Sequence, residues 1–220
     1  MRPPFAALLL ALLPLAAASA APSLSKPTAG FPRVRIVTSE GPIVIALDTR
    51  RAPVTSANFL TYADDGRLDG TTFYRAARRK SDPRLGFIQG GIGNDMRRAL
   101  PPVPLEKTSQ TGILHLDATV SMARGDRPGS AMGNFFITVG PTPSMDARGD
   151  YQGYAAFAHV VSGMDTVRRI LAKPSGGGSD AMKGQMIFDP VKIISVKRID
   201  GVPKPSGWPK PWLIDIPRRP

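Results

Sequence analysis

Two short apolar runs, Val120–Arg124 and Asn134–Thr138, flank a loop rich in Gly, Asp, Pro and Ser, and this pairing limits the possible folds most. Runs of that length bounded by turn residues predict two neighbouring strands. Alternation puts Phe136 on one face and Phe135 and Ile137 on the other. One face can fill a core while the other lines a groove; two plain core strands are the alternative. Further strands are predicted at Val34–Thr38 and Ile43–Leu47 around the turn Ser39-Glu40-Gly41-Pro42, at Thr72–Ala77, within Tyr151–Val161, and at Val191–Val196.

Helical signals are fewer. Pro53 suits a first helical turn, because its missing N–H costs nothing there. Val54, Ala57, Leu60 and Tyr62 then carry the period to about Asp65. Ser162 followed by Asp165 reads as a cap, opening a second helix with Met164, Val167, Ile170 and Leu171 on its apolar face. Residues 92–117 carry Pro101, Pro102 and Pro104 with little pattern, and are expected to form a long loop. No internal repeat is evident. About eight short strands and two helices predict a mainly β domain, either a closed barrel or a sandwich.

Composition excludes several chemistries. The chain has 220 residues, enough for one sizeable core plus tails. It has no cysteine, which rules out disulfides, cysteine nucleophiles and thiolate metal sites. Its two histidines, His115 and His159, cannot build a His-rich metal site and are expected to be surface or satisfied polar residues. No metal and no cofactor is expected. The net charge of +12 favours acidic surfaces. No nucleic-acid-binding spacing accompanies it, so no specific nucleic-acid partner is expected.

The ends read differently from the middle. Residues 1–20 combine Arg2, an apolar stretch over residues 5–17 and Ala18-Ser19-Ala20, the pattern of a signal peptide cleaved near Ala20. The apolar stretch is short for a spanning helix, which needs about 20 residues. The expected location is therefore periplasmic or secreted. Residues 21–32 form a Pro/Ser/Lys-rich lead-in, residues 33–200 the domain, and residues 201–220 a basic, Pro-rich tail with Trp208 and Trp212. Two readings of the tail stay open: it is unpacked, or its tryptophans pack it on the barrel. Weak contact of this basic tail with an anionic envelope is a further expectation.

Asp69–Arg75, Gly86–Gly91, Ser121–Arg124 and Asn134–Ile137 occur in the order, and with roughly the spacing, of four motifs of the cyclophilin family of peptidyl-prolyl cis–trans isomerases. Residues 52–60, Ala-Pro followed by Asn58-Phe59-Leu60, and Gly163-Met164-Asp165 fit the same pattern. The resemblance spans about residues 33–199. It implies a closed eight-stranded antiparallel β-barrel capped by two α-helices, in the expected monomeric state of a barrel without exposed edges.

The resemblance also implies an activity: accelerating rotation of X–Pro bonds in proline-containing polypeptides, here exported or unfolded proteins. Arg75 falls at the catalytic arginine and Gln89 at the glutamine that holds substrate backbone. Phe87, Phe136 and Met145 fall at proline-pocket positions, for which core packing is the alternative. Ala123 and Arg124 fall where backbone binds the peptide, and Asn134 stands in for a longer glutamine. Gly86 replaces a usual phenylalanine and is expected to open one pocket wall. Ser144 replaces a usual aromatic residue, so cyclosporin is expected to inhibit weakly. A catalytically weak module that only binds proline-containing segments is the competing reading, with Gly86 in its favour and Arg75 against it.

Overall fold

The computed structural model describes residues 28–214. The signal-peptide reading, most of the lead-in and the last six tail positions lie outside the described residues.

Among the described residues, nine strands form one antiparallel sheet: β1 (Arg33–Thr38), β2 (Gly41–Leu47), β3 (Thr72–Arg78), β4 (Gly86–Gly91), β5 (Thr119–Met122), β6 (Asn134–Val139), β7 (Ala156–Ser162), β8 (Ser175–Gly176) and β9 (Met186–Arg198). Their order is β1-β2-β7-β5-β6-β4-β3-β9-β8. β9 pairs with β3 through its first half and with β1 through its second, which closes eight strands into a barrel and leaves two-residue β8 as an appendage. Closure removes the unpaired edges that an open sheet would expose.

The expected strands occur, with shifted ends. β5 stops at Met122 rather than Arg124, and β7 begins at Ala156 rather than near Tyr151. β9 extends well beyond Val191–Val196. The barrel interior is filled by alternate residues such as Ile36, Ile45, Phe73, Ile88, Val120, Ile137 and Val196. Phe59 meets Phe135 edge-on at 5.3 Å between ring centroids, and Phe73 meets Phe135 at 5.6 Å. Such aromatic contacts add about 0.5–1.5 kcal/mol each beyond the area they bury.

Helix α1 (Pro53–Asp64) begins at the expected proline. Its first amides are capped from a distance: the Val54 and Thr55 N–H groups donate to the Glu106 carboxylate at 3.1 and 2.7 Å. A negative group there also suits the positive end of the helix. Leu60 and Tyr62 of the expected face are buried, but its first half is not. Val54 and Ala57 face solvent, while Thr55, Ser56, Asn58, Phe59, Leu60, Tyr62 and Ala63 are buried. Three of these seven, Thr55, Ser56 and Asn58, are small polar residues, so an apolar period locates only part of the face.

The 92–117 stretch is not purely loop, since it holds a 3₁₀ turn (Met96–Arg98) and a one-turn helix, α2 (Thr108–Thr111). Helix α3 (Met164–Leu171) buries Val167, Ile170 and Leu171 as expected. Its Ser162–Asp165 cap does not form. The N-cap is Gly163 at φ +93°, with no side-chain cap. A Cβ there would sit 2.3 Å from the Pro42 carbonyl oxygen, so close backbone approach sets this residue.

The tail through residue 214 packs on the barrel. Ser206 donates to Asp65 from its backbone N–H at 2.7 Å and its hydroxyl at 2.5 Å. Buried Arg67 pairs with Asp65 at 2.7 Å, donates to the Pro209 carbonyl at 3.1 Å, and lies 4.7 Å over the Trp212 ring. Among the described residues no helix is long and apolar enough to cross a membrane.

Candidate active site

The groove lies on the outer face of β3, β4, β6 and β5. Cross-strand register builds it: Arg75 is paired with Gln89, Gln89 with Phe136, and Phe136 with Ser121, one row across four strands. The β3–β4 register shifts between Phe73 and Arg75, leaving Tyr74 as the extra residue. Such a bulge re-aims the side chain that follows it. Phe73 therefore points into the core while Arg75 joins the groove row.

Arg75 is held on three sides. Its Nε donates to Gln185 Oε1 at 2.9 Å, Nη1 to Gln89 Oε1 at 2.8 Å, and Nη2 to the Ala181 carbonyl at 2.8 Å. The guanidinium also lies 5.0 Å over the Phe87 ring. Gln89 is itself fixed, because its Nε2 donates to the Tyr74 hydroxyl at 2.8 Å. Burial lowers the Arg75 pKa from its usual value, yet a guanidinium remains charged in any such setting. A guanidinium has five N–H groups, so one on each terminal nitrogen is left for a ligand.

A cavity of about 710 Å³ opens beside it, lined by Arg75, Phe87, Gln89, Phe136, Met145 and Tyr154 among others. Phe136 is 2 % exposed and forms its floor. Phe87 packs on Phe136 at 5.3 Å and Tyr154 meets it edge-on at 5.6 Å. A second cavity of about 480 Å³ shares Gln89, Ala123, Arg124 and Met182, and adds Asn94, Met132 and Asn134. The two together make a continuous trough suited to an extended chain.

The structure brings all eight expected site residues to these cavities, but two are occupied in unexpected ways. The Asn134 side chain exchanges two hydrogen bonds with Gly93, accepting from its N–H at 2.8 Å and donating to its carbonyl at 2.9 Å. Arg124 bridges two segments, donating to the Gly153 carbonyl at 2.9 Å and to the Gly125 carbonyl of its own loop at 2.8 Å, and stacks 4.9 Å over Tyr154. The Ala123 N–H is used by the Asn134 carbonyl.

Gly86 does not open a pocket wall, since it lines neither cavity. Its φ is +142°, and a Cβ would lie 2.0 Å from the Ala77 carbonyl oxygen. Sequence reasoning missed Gln185, Ala181 and Tyr154. The first two are more than 100 positions from Arg75 in a stretch without periodicity. Tyr154 carried a signal, an aromatic residue just before a small-residue strand. His159 is exposed, whereas His115 is buried and fully hydrogen-bonded. Among the described residues no group of acidic or histidine side chains could hold a metal ion.

A closed antiparallel barrel carrying an arginine-over-aromatic trough defines a cyclophilin-like protein, and comparison agrees. The family model described as "Cyclophilin type peptidyl-prolyl cis-trans isomerase/CLD" matches residues 33–198, so the chain belongs to that family. Its relatives include the peptidyl-prolyl cis-trans isomerase of Acinetobacter baylyi, 32 % identical over 74 % of this chain and 84 % of that protein. Peptidyl-prolyl cis-trans isomerase A of Dickeya dadantii is 35 % identical over 62 % and 70 % of the two chains. A crystal structure of a Cryptosporidium parvum cyclophilin-type isomerase shares the fold at TM-score 0.60 and 21 % identity, covering 78 % of this chain and 99 % of that one.

Proposed function

We propose that this peptidyl-prolyl cis–trans isomerase turns X–Pro bonds in unfolded or exported polypeptides, with Arg75 as the catalytic residue. The observation carrying this is the fixed fork of Arg75 beside an aromatic-floored cavity. Rotating the bond breaks amide resonance against a barrier of about 20 kcal/mol. As the amide twists, its nitrogen lone pair is no longer delocalised and becomes an acceptor. A donor aimed there interacts better with the twisted than with the planar bond, and only such differential binding accelerates the step. Phe87, Phe136 and Met145 would seat the proline ring, Gln89 would hold Arg75 and substrate backbone, and Ala123, Arg124 and Asn134 would border the preceding residues. No covalent intermediate is required.

A related Cryptosporidium parvum cyclophilin was crystallised in the presence of the dipeptide Ala-Pro, which supports proline-containing ligands for this groove. The binding-only alternative leaned on Gly86, which does not border the groove. The signal-like residues 1–20 support a periplasmic or secreted site of action. The closed barrel supports a monomer, and the basic tail supports weak contact with anionic envelope surfaces. Protease-coupled turnover of a short X–Pro peptide by wild type and Arg75→Ala tests the activity. A wild-type rate that falls about 10²–10³-fold in the variant is expected; a wild-type rate equal to the uncatalysed background would refute it.

A further inference from the structure

Behind the groove floor lies a polar chain, buried at His115 and Ser121 and half-buried at Asp146, that the chemistry above leaves unused. His115 Nδ1 is 2.6 Å from Asp146 Oδ1, and His115 Nε2 is 3.0 Å from Ser121 Oγ. The order acid, imidazole, hydroxyl is that of a hydrolytic triad. It cannot work as one here, because Ser121 is 0 % exposed and His115 1 %, so no substrate carbonyl reaches the hydroxyl.

What the imidazole does touch is the pocket. Its ring is stacked on Phe136, with 5.7 Å between centroids and 12° between planes. Asp146 directly follows Met145 at the end of a 3₁₀ turn. Ser121 sits on β5, two residues before Ala123. Asp146 also accepts the His115 backbone N–H at 3.0 Å. One ring thus ties together the floor, the Met145 wall and the β5 rim.

We propose that His115, clamped between Asp146 and Ser121, is a positioning residue that sets the Phe136 floor and the Met145 wall of the proline cavity. The proposal rests on the isomerase reading of that cavity. The clamp fixes a single tautomer: Nδ1–H donates to Asp146, and Nε2 accepts from the Ser121 hydroxyl. Burial lowers the imidazole pKa and Asp146 only partly opposes this, so the ring stays neutral near pH 7. Asp146 is the charged group acting on the ring. Arg79 reaches only the adjoining turn, at Pro141 and Thr142, and Tyr154 meets Phe136 rather than the imidazole.

Three variants and one spectrum test this in the intact protein. His115→Phe keeps an aromatic ring against Phe136 but strands both polar partners. It should raise KM for an Ala–Pro peptide about tenfold with kcat within about twofold, as expected when a buried hydrogen-bonded group loses its partner. His115→Asn retains a donor for Asp146 and should recover most of that loss, while Ser121→Ala should cost about threefold. Nitrogen-15 NMR of the unmodified protein should show a neutral ring protonated at Nδ1. An unchanged KM in folded His115→Phe, equal losses in the Asn and Phe variants, or the opposite tautomer would overturn the proposal. If His115→Phe does not fold, Ser121→Ala and the spectrum decide it. A wild type without turnover overturns the isomerase reading alone, and the Kd for the same peptide then replaces KM.

Discussion

Phe135 and Phe136 are adjacent, both almost fully buried, and have opposite surroundings. Phe135 faces the barrel interior among Phe59 and Phe73. Phe136 faces outward among Phe87, His115 and Tyr154. The inner cluster is wholly apolar, so its contribution is to stability. In the outer cluster, His115 is bonded to an acid and a hydroxyl, Phe87 lies under Arg75 and Tyr154 under Arg124. Strand alternation alone separates the two roles, and burial by itself does not distinguish a core residue from a site residue.

The largest effect should come from breaking the inner cluster. Phe135→Ala should destabilise the protein by about 3–5 kcal/mol, the usual cost of deleting a core aromatic, seen as a lower thermal midpoint. Phe136→Leu, near in size, should cost about 1.5 kcal/mol or less in stability while lowering kcat/KM about tenfold. Equal thermal losses for the two would show that the faces are not separate. Gly86→Phe should cost about 2–4 kcal/mol, because overpacking adds to the strain of a positive φ. Denaturant unfolding would measure it, and a gain in turnover would show that the glycine had been opening the pocket.

Acid should act on the outer cluster first. His115 is held below its ordinary value of 6.5 by burial, against the opposing pull of Asp146. The unfolded chain therefore takes up the proton before the folded one, and stability should fall as pH drops below about 6.5, by up to about 1.4 kcal/mol per unit. His115→Asn should lose that slope in urea titrations run across pH. Asp65 responds at lower pH. Burial pushes its pKa up, but Ser206 and Arg67 outweigh that and hold it low. Its stabilisation persists above about 3.9 and is lost as pH falls through the folded-state value. The smallest change is Ser206→Ala, expected to cost about 1 kcal/mol by loosening the tail from Asp65, with earlier proteolysis of residues 201–214 as its readout.

Much of the two-faced strand could be read in advance. Alternation placed Phe135 and Ile137 apart from Phe136, and the resemblance to the cyclophilin family gathered Arg75, Phe87, Gln89 and Met145 into one place. The misreadings share a cause, which is contact through backbone or across long separations. Gly163 and Gly86 are set by neighbouring carbonyl oxygens that leave no periodic trace. Helix α1 buries Thr55, Ser56 and Asn58, whose hydropathy does not announce burial. Gln185 reaches Arg75 across 110 positions, so this support of the guanidinium emerges only from the folded barrel.

The most direct test of the account uses Arg75→Lys. Lysine keeps the positive charge but loses the planar fork that Gln185, Gln89 and Ala181 hold in place. Isomerisation of an Ala–Pro peptide, followed by exchange NMR without a coupling protease, should slow at least about tenfold in this variant while peptide affinity changes little. Equal rates for wild type and Arg75→Lys would contradict the account, because charge alone, and not a fixed donor geometry, would then drive the rotation.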